Sequence, residues 1–149
     1  MDSPKTFKNL GANQSQLLDI YIQQVRSVLE MAVPAWHSSL TLLDRLKIER
    51  VQKASLHVIL GPKYVSYPHA LKQVNLPTLE DRRVRLCIKF AVKALRNPKH
   101  SNWFKVNQRV GKTRLKQPLF CPVIARTSRF EKSPLSYMTE LLNKHALGS

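Results

Sequence analysis

The side chains able to do catalytic chemistry are few in this sequence and stand far apart. The five histidines, His37, His57, His69, His100 and His145, are dispersed, and an isolated histidine is more often a packed or surface ring than a base or a metal ligand. His37 is followed by Ser38 and Ser39, but no nucleophile-elbow sequence surrounds them, so a serine-hydrolase site is not indicated. Glu80-Asp81 is the one adjacent acidic pair; a metal-dependent reaction would need carboxylates, yet a pair at a helix start is explained by the positive end of the helix dipole. The 4 glycines form no phosphate-cradling loop. Cys87 and Cys121 have neither Cys-x-x-Cys spacing nor nearby paired histidines, so no zinc site or disulfide framework is indicated, and both are expected as reduced, buried thiols. No catalytic residue, metal or cofactor is expected.

The charged side chains are more informative. Lys and Arg total 25 against 9 Asp and Glu, a net charge of +16, and such a field attracts nucleic acid or an anionic surface. No acidic residue lies between Asp81 and Glu131. Within that stretch Arg82, Arg85, Lys89, Lys93 and Arg96 recur at steps of three, four, four and three, which places them along one face of a helix. A solvated face normally mixes signs to limit self-repulsion, and this one does not, so phosphate contact is the stronger reading. Lys112, Arg114 and Lys116 add an electrostatic arm beyond it, and Arg83 is expected to turn back to an acidic neighbour. Trp103 and Phe104 adjoin the basic segment, where aromatics can stack on bases or anchor a loop on the core through their apolar area; anchoring is the favoured alternative.

These residues must be positioned by helices. Ser15 can cap a helix in which Leu18, Tyr21, Ile22, Val25, Leu29 and Ala32 make one apolar stripe. Pro34 is expected to end it at Val33, with Trp36 wedging the turn to the next helix and His37 at its rim. A second helix is expected over 41–60, with Ile48, Val51, Ser55, Val58 and Ile59 on one side and Gly61-Pro62 as its stop. A short helix is expected over 68–74, closed at Asn75 or Leu76 before Pro77. Thr78-Leu-Glu-Asp81 resembles a capping box and opens a helix from Leu79 to about Arg96, whose Val84, Cys87, Ile88, Ala91 and Leu95 face a core. "HSNWF" adds one helical turn. The segment 106–132 is charged and aperiodic and is expected as a flexible connector, with Pro122 opposing a central strand. Ser133-Pro134 starts a last short helix. The fold class is therefore all-α: a small bundle of about four helices with a basic, partly irregular C-terminal arm. Its organisation reads as a polar lead (1–14), a helical thumb-like domain (15–105), the basic connector (106–132) and a C-terminal helix and tail (133–149). At 149 residues with 43% hydrophobic residues the chain can build a real core.

The order of the segments carries a resemblance. "LLDIYIQQVRSVLEMAVPAWHSSL", "LKIERVQKASLHVILG", "YPHALKQVNLPTLEDRRVRLCIKFAVKAL" and "RTSRFEKSPLSYMTELLN" follow one another and together resemble the C-terminal part of reverse transcriptases of non-LTR, LINE-type retrotransposons of the jockey-like kind. Its most specific pieces are Arg26-Ser-Val-Leu-Glu30 through Pro34-x-Trp36, Glu49-x-Val-Gln-Lys53, and Leu76-Pro-Thr-Leu with Arg82-Arg83. The resemblance implies a thumb or connector that holds a template-primer hybrid, with RNA, DNA or an RNA-DNA hybrid as partner. The polymerase's paired palm aspartates have no counterpart here, so the resemblance implies no polymerase activity for this chain on its own. It is also what a truncated element copy or a domesticated remnant would look like. The alternative is a protein-interaction remnant whose apolar faces dock on a palm domain or an acidic partner. No stretch reaches the roughly 18 apolar residues of a membrane span and the N-terminus lacks an apolar leader, so an intracellular location, nuclear or cytoplasmic, is expected with no membrane partner.

Overall fold

The computed structural model describes residues 11–108 and 118–147. They are mostly helical, with no strand among them beyond one isolated antiparallel bridge between Val106 and Phe120. The all-α class is as the periodicity indicates. The chain divides into two compact units: one holds Leu40–Arg83 and the described residues before Val33, the other Val33–Ser39 and the described residues from Val84 onward.

In the first unit, α1 (Gln14–Ile20) continues through a π-helical stretch, Tyr21–Arg26, into α2 (Ser27–Glu30). Its cap is Asn13 rather than Ser15. Asn13 and Gln16 bond each other's backbone N–H reciprocally at 2.9 and 3.0 Å, which satisfies two donors that a helix start leaves open. The helix ends earlier than Pro34 suggests. Met31 is extended and Ala32 lies at φ 51°, so the break precedes Val33, and Pro34 sits in the opening turn of α3 (Val33–Trp36). A proline there forfeits no helical hydrogen bond, because the first N–H groups of a helix have no partner in any case.

Thr41 caps α4 (Leu42–Leu60), and Gly61 at φ 53° stops it. Ser66 caps α5 (Tyr67–Gln73). Asn75, at φ 52°, closes α5 in a Schellman arrangement, with Leu76 N–H donating to Leu71 C=O at 2.9 Å and Asn75 N–H to Lys72 C=O at 3.2 Å. Leu17, Tyr21, Leu56, Ile59, Leu60 and Ala70 form the core of this unit; each large side chain buried there contributes about 1.5–3 kcal/mol. Val51 is exposed and Val58 half-buried, because the inward face of α4 is Gln52, Ser55, Leu56, Ile59 and Leu60.

Gln52 belongs to the core although it is polar. Its Oε1 accepts from Tyr21 Oη at 2.6 Å, and its Nε2 donates to Tyr67 Oη at 3.1 Å and to Pro77 C=O at 3.0 Å. Tyr67 Oη also donates to Glu49 Oε1, which accepts Leu79 N–H at 3.2 Å. Burial raises the pKa of both tyrosines above the ordinary phenol value, and for Tyr67 the bond to Glu49 adds to it.

The second unit is built on Val33, Cys87, Ala91, Ala94, Phe104, Phe120, Met138 and Leu142. α6 (Leu79–Arg96) supplies the middle of that set, and α8 (Pro134–Leu147), capped by Ser133, supplies the last two. A short α7 (Ser128–Glu131), capped by Thr127, precedes α8; a single turn was beyond what periodicity resolves. The connector expected over 106–132 carries backbone bonds between residues 105–107 and 119–121. Asn107 N–H donates to Leu119 C=O and Cys121 N–H to Lys105 C=O, each at 2.8 Å. Asn143 on α8 then accepts Phe120 N–H at 2.8 Å and donates to Phe120 C=O at 3.0 Å. A side-chain amide thereby takes the place of a neighbouring strand.

The corner after α3 corrects another expectation. His37, placed at the rim by the sequence, is fully buried (0% exposed), whereas Trp36 is half-buried against the core of the second unit. His37 Nε2 lies 3.1 Å from Tyr137 Oη, with the two rings edge to face at 5.3 Å. Cys87 is buried as expected, but Cys121 is exposed.

Candidate nucleic-acid interface

The basic helix is α6. Thr78 opens it: its Oγ1 accepts Asp81 N–H at 3.1 Å while donating to Asp81 Oδ2 at 2.7 Å. The shorter Asp carboxylate therefore bonds the capping hydroxyl, not the backbone N–H that a Glu reaches in the usual box. Glu80 and Asp81 lie in the first turn and Lys93 and Arg96 in the last, each of favourable sign for the helix dipole.

At 100° per residue, Arg82, Arg85, Lys89, Lys93 and Arg96 fall within about 80° of arc. The buried positions Cys87, Ala91 and Ala94 lie on the opposite side. Arg85, Lys89, Lys93 and Arg96 are all exposed, and none has an ion-pair partner among the described residues. Arg85 to Arg96 spans about 16 Å of helix axis. Successive phosphates on one strand rise about 3.4 Å along a duplex, so this row matches about five phosphate spacings.

Arg82 differs from the other four. Its Nε donates to Glu30 Oε1 at 2.8 Å, and Arg26 Nε lies 3.5 Å from the same oxygen. The hydrogen bond to Glu30 raises the Arg82 pKa, and Arg82, unlike the other four, has an acidic partner within the first unit. Arg83, expected to turn to an acidic neighbour, is a buried side chain at 1% exposure, and Arg82 makes the pair with Glu30.

The aromatic pair also separates. Trp103, in the short 3-10 turn Ser101–Trp103, is 42% exposed with its ring 4.4 Å from that of His100. Phe104 is 2% exposed and meets Phe120 edge to face at 6.2 Å, so it anchors the segment and is removed from the stacking candidates. Lys112, Arg114 and Lys116 lie outside the described residues.

No group of three or more His, Cys, Asp or Glu side chains is close enough to hold a metal ion among the described residues. His37, His57 and His100 each face an aromatic ring, those of Tyr137, Tyr64 and Trp103, while His69 and His145 are exposed. No described helix is long and apolar enough to cross a membrane. The class that fold and charge define is a small all-α, strongly basic protein. No protein-family model, no curated protein and no solved structure matches the chain.

Proposed function

We propose that this chain is a non-catalytic, thumb-like part of a retrotransposon-type RNA-directed DNA polymerase. In this role it binds template-primer nucleic acid through phosphate contacts without reading base sequence. The observation that carries the proposal is the single-sign row of Arg85, Lys89, Lys93 and Arg96, exposed on one face of an 18-residue helix and without acidic partners among the described residues. Charge of one sign held in register on a rigid helix is costly in isolation and is relieved when a polyanion lies along it. The ordered segments that resemble LINE-type reverse transcriptases supply the ligand, an RNA-DNA hybrid gripped by its backbone. Polymerization is not part of the proposal, because the paired aspartates that hold the metal ions have no counterpart in the chain.

The test is the affinity of the chain for duplex DNA, duplex RNA and an RNA-DNA hybrid of equal length, each measured across a salt series. A steep fall in affinity with salt, with the hybrid bound most tightly, supports the proposal. Equal, weak binding to all three refutes it and leaves bulk charge as the explanation.

A second reading is favoured by Leu42, Leu43 and Leu46, which are exposed over the first turns of α4. Large apolar side chains clustered on a helix start suit docking on a protein such as a palm domain. Association with a protein partner that persists at high salt and is lost in Leu42→Ser/Leu46→Ser would support it.

A further inference from the structure

The first unit contains an open pocket of about 370 Å³ lined by Arg50, Lys53, Ala54, His57, Val58 and Tyr64. Five of these lie on α4 at i, i+3, i+4, i+7 and i+8, the spacing of one helix face. This is not the core face, which is formed by Gln52, Ser55, Leu56, Ile59 and Leu60. Tyr64 follows the 3-10 turn Gly61–Lys63, which brings the chain back so that the Tyr64 ring stands 5.0 Å from that of His57. Tyr64 Oη is buried and has no hydrogen-bond partner among the described residues. Arg50 and Lys53 are exposed, with no ion pair to any described acidic residue.

We infer that this pocket receives one unpaired nucleotide of a nucleic-acid strand. A ligand suited to it has an apolar, planar part and a negative charge. Ala54 and Val58 offer an apolar floor, and the Tyr64 and His57 rings offer aromatic faces. Arg50 and Lys53 stand where a phosphate would be neutralised, with no carboxylate in the lining to repel it. The volume lies within the range of about 300–1,000 Å³ that small ligands occupy, large enough for one nucleotide. Aromatic faces beside a basic rim are how proteins hold unpaired strands without reading sequence. The inference rests on the proposed function for its class of ligand, but uses none of the α6 residues, so the two fail separately.

The experiment compares, by fluorescence anisotropy on the full chain, a blunt-ended duplex with the same duplex carrying a short oligothymidine overhang. The overhang is expected to tighten binding by about tenfold, the gain typical of one base stacked on an aromatic side chain. Arg50→Gln/Lys53→Gln and, separately, Tyr64→Ala are expected to reduce that gain and leave blunt-duplex affinity close to that of the parent chain. Competing thymidine 5′-monophosphate is expected to remove the gain without displacing the duplex. An overhang that adds nothing, or a gain that survives all of these, overturns the pocket as a nucleotide site. Binding of the overhang alone, with no affinity for the blunt duplex, supports the pocket and refutes the α6 interface.

Discussion

Replacing Arg85, Lys89, Lys93 and Arg96 together by Gln tests the α6 interface most directly. The four side chains are exposed and make no ion pair with a described acidic residue, and Gln keeps good helix propensity, so the fold loses little. Each phosphate neutralised on duplex DNA contributes about 0.9 to the slope of log affinity against log salt. Four contacts thus account for a slope of about 3.6. At 0.1 M salt the same relation gives about 3.6 decades of affinity from counterion release, or about 5 kcal/mol. This is the upper limit, reached when all four cations touch phosphate at once. The assay is a salt series of duplex affinities for parent and variant, with far-ultraviolet circular dichroism confirming unchanged helicity. A variant whose salt slope equals that of the parent would show that the row is merely solvated, and that the duplex is held elsewhere or by net charge alone.

Arg82→Gln should behave differently from its neighbours on the same helix. It should leave the salt slope nearly unchanged and reduce stability by up to about 1 kcal/mol, since the lost pair with Glu30 is partly solvent-screened; a full loss of about 0.9 in slope would place Arg82 on the nucleic acid. Gln52→Leu keeps the volume of the side chain but strands Tyr21 Oη and Pro77 C=O, so urea unfolding should show a loss of about 2–4 kcal/mol. Ala32→Gly should raise the thermal midpoint. The left-handed backbone costs an alanine about 1–2 kcal/mol, and the added freedom of glycine in the unfolded chain returns only about 0.4–1 kcal/mol of that. Stability should fall above pH 10. There the unfolded chain ionises its tyrosines while the folded unit keeps Tyr21 and Tyr67 protonated, their pKa values being raised by burial. The contribution is complete below pH 10 and shrinks as pH rises, by about 1.4 kcal/mol per pH unit for Tyr21. Tyr21→Phe should weaken that dependence, as read from denaturation midpoints between pH 9 and 11.

The helices and their ends were largely determined by the sequence itself, because caps and stops act within a few residues. Thr41, Gly61, Ser66, Thr78 and Ser133 each bond or turn the chain within one helical turn of their own position. The row of cations on α6 was equally plain, since an 18-residue helix converts spacing directly into direction. What the tertiary structure decided is which members of each pattern are available. That Arg82 meets a carboxylate depends on where Glu30 lies, 52 residues earlier in the chain. Trp103 and Phe104 are both aromatic, and only the position of Phe120 tells which one is buried. His37 is withdrawn from solvent by Tyr137, 100 residues away. The face of α4 opposite its core resembles any solvated helix surface until Tyr64 folds back beside His57 and makes it a pocket. Local patterns state what a residue can reach within one turn; burial and pairing depend on partners whose distance in the chain no local pattern encodes.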